Sequence, residues 1–163
     1  MKCAAFSLAI LSLISLPAFA GLATTTLNIS ASVSAVCTIS TAPVAFGAYD
    51  PVVANAAVSL PGSGTVTVAC TKGASATIDL ANGGNFLGGS RRMINGPDFL
   101  NYGLYKDAAR TQVWGSGLTG GTTAAYTSAS KAATAITVYG TVPQNQDVAV
   151  GSFTDVVQAT INY

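Results

Sequence analysis

Apolar and polar residues alternate in several segments spread along this 163-residue chain, and a period of two is the pattern of β-strands. Gly-, Pro- and Asn-rich turns separate the alternating segments, and no helical periodicity extends beyond one turn at "KDAART". We therefore predict an all-β fold, an antiparallel β-sandwich of immunoglobulin-like shape. The segments are "GTVTVAC" (64–70), "SATIDL" (75–80), "LNYGLYKD" (100–107), "ATAITVYGTV" (133–142) and "SFTDVVQATINY" (152–163).

The N-terminus has the pattern of an export signal. Lys2 precedes an apolar run, and "AFA" at 18–20 matches the small-residue rule for a cleavage site. We predict a signal peptide over residues 1–20 and export of the chain that begins at Gly21.

The alternation continues without interruption from Thr24 to Cys37, over more residues than the five or six that are typical of a strand. Asp50 is the one charged residue between Leu22 and Thr71. Edge strands are usually protected from association by charge, proline or bulges. A long apolar edge without such protection indicates that pairing of this edge with another chain is a function of the protein.

Composition argues against catalysis and against nucleic-acid binding. The chain has no His and no Glu, and its net charge is +1. Common general bases and zinc ligands are thus missing, and so is the basic excess that captures nucleic acid. We predict that the protein is not an enzyme and binds no metal, cofactor or nucleic acid. Asp155 stands out because it shares its parity with Phe153 and Val157, and we expect it at the start of a strand or beside an arginine.

Cys37 and Cys70 remain after cleavage of the signal peptide. In an exported chain an even pair of cysteines favours a disulfide, and two free thiols or a pair of metal ligands are the alternatives. A bridge of this span stabilises a fold by about 3–4 kcal/mol in the chain-entropy model.

Several motifs together resemble the spore coat protein U family, which includes the pilin subunits of archaic (Csu-type) chaperone–usher pili. The alternating N-terminal segment leads into "CTI" at 37–39, and the resemblance then covers the rest of the exported chain. The motifs that carry it are "VAFGAYDP" (44–51), "GTVTVAC" (64–70), "LNYGLYKDAARTQVWG" (100–115) and "TVYGTVPQNQDVAVGSFTDVVQATINY" (137–163).

The resemblance implies an incomplete immunoglobulin-like sandwich, a pilin fold that lacks its last strand and so has an apolar groove. Residues 21–33 would be an N-terminal donor-strand extension and residues 34–163 the sandwich domain. The extension would fill the groove of a neighbouring subunit with Leu27, Ile29, Ala31 and Val33, and the small Ala31 implies a shallow pocket. The groove edge, also the chaperone's pairing site, would carry Phe153, Val157, Ala159, Ile161 and Tyr163.

The resemblance also implies a Cys37–Cys70 disulfide and three kinds of partner: a periplasmic pilus chaperone, an outer-membrane usher and neighbouring pilin subunits. The expected location is the extracellular fimbrium, reached through the periplasm, where the subunit would support adhesion and biofilm formation. Two alternatives stay open. The N-terminal segment could fill the chain's own groove in a monomeric secreted or coat protein. The chain could also be a sugar-binding tip adhesin with Tyr49, Tyr105, Trp114 or Tyr126 as an exposed sugar-binding aromatic. An aromatic at a strand end is more often a packing residue, and the second domain usual in adhesins would have no room.

Overall fold

The computed structural model describes residues 20–117 and 120–163, so the predicted signal peptide lies, except for Ala20, outside the described residues. Eight strands and no α-helix occur in these two ranges, and no helix there could span a membrane. The strands are β1 (Cys37–Ala45), β2 (Leu60–Cys70), β3 (Ser75–Leu80), β4 (Arg91–Asn95), β5 (Asp98–Tyr105), β6 (Ala124–Thr127), β7 (Thr134–Val142) and β8 (Ala159–Asn162).

The strands form two sheets. One has five strands in the order β1-β2-β7-β5-β4, and the other has three in the order β6-β3-β8. Each pairing of neighbouring strands is antiparallel. The predicted all-β, immunoglobulin-like fold is thereby confirmed.

The alternation in the sequence becomes the inner face of the two sheets. In β2, Val66 and Val68 are buried and their neighbours Thr65 and Thr67 are only half-buried. Trp114 is fully buried, and its indole N–H donates a hydrogen bond of 3.0 Å to the Ile78 carbonyl. The buried cluster comprises Val66, Val68, Ile78, Leu80, Leu100, Tyr102, Leu104, Trp114, Val138 and Val142.

A disulfide joins Cys37 at the start of β1 to Cys70 at the end of β2, as predicted. The two residues stand opposite each other in the β1–β2 ladder, which continues in register to Ala42 and then shifts before Ala45. β1 has one partner strand among the described residues, so the bridge fastens a strand that is hydrogen-bonded along one edge.

The two end segments form less strand than the alternation predicts. Residues 20–36 belong to no strand, and β8 covers 159–162 where the pattern predicts 152–163. A strand requires a partner for its backbone groups, and β3 ends at Leu80, ahead of the turn at 84–85. The Ala81 N–H still donates to the Gln158 carbonyl, but residues 155–157 run beyond this last bond, and Thr154 bridges to Ile94 of β4 instead.

Candidate functional site

Two strand edges lie side by side and unpaired among the described residues. β1 ends the five-stranded sheet, β8 ends the three-stranded sheet, and Cα atoms of the two strands come within 8 Å of each other. Each pairs along one side only, with β2 and β3 respectively. Backbone N–H and C=O groups on the facing sides are thus available to a further strand.

A cavity of about 390 Å³ opens between these edges. Closely packed interiors have few voids larger than a water molecule, so this volume corresponds to missing side chains. Its lining is mainly apolar and comes from β1, β2, β3, β5, β7 and the segment before β8. The lining residues are Thr41, Ala42, Pro43, Val44, Phe46, Thr65, Val66, Leu80, Tyr102, Leu104, Val138, Asp155, Val156, Val157 and Ala159.

A second cavity, of about 730 Å³, adjoins the first because Val44 and Phe46 line both. Residues 44–51 form one side and residues 148–153 the other, with Leu60, Met93, Leu100 and Val142 between them. We call the two cavities together the groove. Residues 41–51 and 148–159 are its walls.

The C-terminal wall preserves the predicted alternation even where no ladder forms. Phe153, Asp155, Val157, Ala159 and Ile161 are half-buried, whereas the residues between them are exposed. Phe153, Val157 and Ala159 line the groove. Ile161 packs against the buried cluster beside it, and Tyr163 lies beyond β8 with 59% of its surface exposed.

Phe46, in the opposite wall, is a groove residue that the sequence analysis did not identify. Gly62 of β2 and Gly140 of β7 stand opposite each other in the ladder. A Cβ atom would lie 2.6 Å from the Phe46 ring at Gly62 and 2.7 Å from it at Gly140. The two glycines thus provide the flat surface on which Phe46 rests, at a tilt to the Tyr102 ring 6.1 Å away. The recurrence of glycine in two otherwise β-branched strands was the available signal.

Asp155 is the single charged side chain that lines the smaller cavity. Its carboxylate accepts hydrogen bonds from the Tyr102 hydroxyl (2.6 Å) and the Gly84 backbone N–H (2.9 Å). The expected pairing with an arginine is replaced by these bonds, since the buried guanidinium of Arg91 donates to the carbonyls of Leu80, Ala81 and Trp114. Burial and the hydrogen bond to Asp155 raise the pKa of Tyr102.

Of the predicted donor residues, Leu27, Ile29 and Ala31 precede the compact unit Val33–Tyr163 in the chain, and Val33 is the first residue of that unit. Leu27, Ile29 and Val33 are 85%, 88% and 83% exposed, and Ala31 is exposed as well. Apolar side chains repeated on one face at such exposure are typical of an interaction segment rather than of a solvated tail.

The described residues contain no group of three or more His, Cys, Asp or Glu side chains that could hold a metal ion. The alternative with Trp114 as an exposed sugar-binding residue is wrong, because this side chain is fully buried. Tyr49 is likewise engaged: its hydroxyl donates to the Pro143 carbonyl and accepts from the Gln146 N–H.

A solved structure shares this fold. It is the CsuC–CsuE chaperone–tip adhesion subunit pre-assembly complex from the archaic chaperone–usher Csu pili of Acinetobacter baumannii. One of its chains matches with a TM-score of 0.57 and 20% sequence identity over 80% of the present chain. The match spans 40% of the length of that Csu chain.

Sequence comparison identifies the family directly. Protein U of Myxococcus xanthus is 39% identical over an alignment of 161 residues. The match covers 90% of the present chain and 88% of Protein U. The family model of the Spore Coat Protein U domain matches residues 23–160. A match of this extent, on a sandwich with an open groove, shows that the chain belongs to the Spore Coat Protein U domain family.

Proposed function

We propose that this protein is a structural subunit of a fimbria and polymerises by donor-strand complementation in an archaic chaperone–usher pathway. In this proposal residues 21–33 of one subunit occupy the groove of the next. The observation that carries the proposal is the groove itself, an unfilled part of the core between two unpaired strand edges, in a chain that also has an exposed apolar segment of strand periodicity.

The energetics require both the side chains and the backbone of the donor. Burial of Leu27, Ile29 and Val33 contributes roughly 5–9 kcal/mol, at about 1.5–3 kcal/mol each. Ordering a flexible segment opposes this by about 1–2 kcal/mol per residue. Side chains alone therefore do not suffice, and hydrogen bonds to both free edges supply the rest. A groove bounded by β1 and β8 offers the two ladders that this calculation needs.

The partners follow from the same surface. A groove this apolar is an aggregation hazard before assembly. A periplasmic chaperone would therefore cover the groove by pairing with the β8 edge. An outer-membrane usher would then exchange the chaperone for the next subunit. The fold shared with a chain of a chaperone–subunit complex supports the chaperone step. The assembled fibre would lie on the cell surface and support adhesion and biofilm formation.

The test is assembly by variants of the donor segment. Deletion of residues 21–33 should leave a subunit that binds chaperone but cannot fill its neighbour's groove. Ile29→Asp should slow or block assembly, because it places a charge on the groove-facing side of the donor. Ser30→Asp is the matched control, with the same charge on the opposite face of the predicted strand, and should still assemble. Normal fibres from the deletion variant would refute the proposal.

A second candidate is a self-complemented coat protein in which residues 21–33 fill the chain's own groove. The relationship to Protein U and the spore-coat name of the family favour it. Size-exclusion chromatography of the purified exported chain separates the two functions: a stable monomer without chaperone supports the second, and polymers or chaperone-bound subunits support the first.

A further inference from the structure

The "YKDAART" motif has no part in the groove. Tyr102 and Leu104 of β5 are buried, so the alternation of the strand places Tyr105 on the outer face of the five-stranded sheet. Lys106 to Gln112 then form a loop next to this face, closed by the hydrogen bond from the Lys106 N–H to the Gln112 carbonyl. The motif therefore forms a loop on the face of the five-stranded sheet that is turned away from the core.

A separate cavity of about 330 Å³ lies there, lined by Ser59, Pro61, Tyr105, Arg110 and Thr141. Small-molecule sites in proteins span about 300–1,000 Å³, so this open, shallow hollow lies at the lower limit of that range and has room for part of a ligand no larger than a monosaccharide. Four of the five lining residues carry polar groups, and Arg110 supplies the charge.

Arg110 is held in a strained conformation by its loop. Its φ is 56°, in the left-handed region that residues other than glycine rarely adopt. The Asp107 carboxylate accepts from the Thr111 N–H, the Thr111 hydroxyl and the Gln112 N–H, and the Arg110 N–H donates to the Asp107 carbonyl. Strain that the surroundings enforce in this way is found at ligand clamps and other functional sites.

The Arg110 guanidinium is positioned as well as strained. Its Nε donates a hydrogen bond of 3.0 Å to the Gly140 carbonyl of β7, and one terminal nitrogen donates to the Ala108 carbonyl at 3.2 Å. A guanidinium has five N–H donors in a rigid fork, so these two bonds fix its orientation and leave donor capacity for a carboxylate.

Thr141 and Tyr105 form the floor of the cavity. The Thr141 Oγ1 is buried and has no hydrogen-bond partner among the described residues, an arrangement that costs stability unless something else uses the group. Thr141 lines the cavity with atoms other than this buried oxygen, so a ligand would reach the hydroxyl only by selecting another χ1 rotamer of Thr141. The Tyr105 ring folds back over Gly103, where a Cβ atom would come within 2.5 Å of its hydroxyl. A flat, half-buried aromatic ring beside a fixed cation is thus available on this floor.

We propose that this cavity binds a monosaccharide that bears a carboxylate, a uronic acid residue of an acidic polysaccharide. The guanidinium of Arg110 binds the carboxylate, and the Tyr105 ring packs against the apolar face of the pyranose. The hydroxyls of Ser59 and Thr141 form hydrogen bonds with sugar hydroxyls. The site is on the outer face of the sheet and shares no lining residue with the groove, so a test of this site does not depend on fibre assembly.

The experiment is a titration of the purified exported chain with sodium galacturonate, in which binding is measured by isothermal calorimetry and by saturation-transfer NMR. Galactose tests the need for the carboxylate, and sodium acetate tests the need for the sugar. Saturable binding of galacturonate, about tenfold tighter than binding of either control, is expected. Absence of galacturonate binding, or equally tight binding of galactose, would overturn the proposal. Equally tight binding of acetate would show a plain anion site and would overturn the proposed recognition of a sugar.

Variants locate the site. Arg110→Lys retains the charge but loses the fork, and galacturonate should bind about tenfold more weakly to it with the fold retained. Thr141→Val removes the unpaired buried hydroxyl, so it should raise the melting temperature while weakening binding, a combination that a purely structural threonine would not give. Lys131→Gln removes an exposed cation elsewhere and should leave binding unchanged. Undiminished binding by both Arg110→Lys and Thr141→Val would contradict this location.

Discussion

The Tyr102 hydroxyl donates a 2.6 Å hydrogen bond to the Asp155 carboxylate and so ties β5, an inner strand of the five-stranded sheet, to the segment that leads into the edge strand β8. Residues 155–157 belong to no strand, although Thr154 before them pairs with Ile94 and Gln158 after them accepts from the Ala81 N–H. Between these two backbone contacts, the hydrogen bonds of its carboxylate hold Asp155 in the wall of the groove.

Tyr102→Phe should destabilise the domain and loosen this wall. The variant keeps the ring but leaves a half-buried carboxylate with the Gly84 N–H as its main remaining donor. Hydrogen bonds to charged groups contribute about 1.5–3 kcal/mol, so a loss of about 2 kcal/mol in the free energy of unfolding is expected. Denaturant unfolding with the groove filled by a peptide of residues 21–33 measures it. Tyr163→Phe, at an exposed position, is the control, and equal stability of Tyr102→Phe and wild type would show that the bond contributes nothing.

Alkaline titration should show that Tyr102 stays neutral well above the ordinary pKa of a tyrosine. Burial and the hydrogen bond to Asp155 raise its pKa in the folded state. A raised pKa means that the folded state favours the neutral phenol, so this stabilisation is complete below about pH 10 and decreases as the pH rises above it. Near-UV absorbance during pH titrations of wild type and Tyr102→Phe isolates this phenol, and the two titrations should differ only once the protein unfolds. A difference that develops before unfolding would contradict the burial of this phenol.

Gly140→Ala should disrupt the N-terminal wall of the groove. The added Cβ would lie 2.7 Å from the Phe46 ring and 2.8 Å from the Val44 side chain, so both must move. Overpacking of this kind costs about 1–3 kcal/mol, and the displaced ring should also weaken binding of the 21–33 peptide. Thermal unfolding and peptide titration measure the two effects. At Gly84 a Cβ atom would make only an ordinary 3.5 Å contact with Asp155, so Gly84→Ala should leave both unchanged.

Removal of the disulfide should release β1 before the rest of the sandwich. The double substitution of Cys37 and Cys70 by Ala should lower the free energy of unfolding by about 3–4 kcal/mol. β1 is bonded along one edge only, so amide hydrogen exchange should accelerate in β1 more than in the central strand β7. Uniform acceleration across both strands would indicate that the bridge stabilises the whole domain rather than its edge.

Acid should weaken the loop that follows Asp50. Backbone N–H groups of Val53, Ala54 and Val52 donate to this carboxylate and hold its pKa below the ordinary value of 3.8. A lowered pKa in the folded state means that the stabilisation is complete above about pH 3.8 and is lost as the pH falls through the folded-state value. Asp50→Asn should therefore flatten the acid side of the stability curve.

The matching control for this pH dependence is Asp107. Hydrogen bonds from Gln112 and Thr111 lower its pKa in the same direction, so Asp50→Asn should remove only part of the acid dependence and the Asp50→Asn/Asp107→Asn double variant should remove more. Thermal unfolding across the acid range measures each contribution. An unchanged acid limb in the double variant would show that other carboxylates control it.

The strands of the core were predictable because their periodicity is local. β2, β3, β5 and β7 each overlap the alternating segment that predicts them, although β5 ends at Tyr105 where the pattern continues to residue 107. The cysteine pair likewise predicts the disulfide between β1 and β2. The length of β8 was not predictable in the same way. Alternation continues through residues 152–163, but a ladder also needs a neighbour, and β3 turns away after Leu80.

The groove shows the same division between local and distant information. Alternating parity in the sequence indicates which side of the C-terminal wall faces inward, and half-burial of Phe153, Val157 and Ala159 follows it. Phe46 and its two supporting glycines could not be identified beforehand, because their contacts join three segments that are far apart in the chain. The bonds of Asp155 to Tyr102 and Gly84 are of the same kind.

Sequence periodicity alone thus determined that the chain is all-β, which residues face inward and which apolar segments lie at its two ends, since each of these depends on neighbours within a few residues. Tertiary structure decided where the core is left open, because a groove exists only where the edges of two different sheets, β1 and β8, meet without a strand between them.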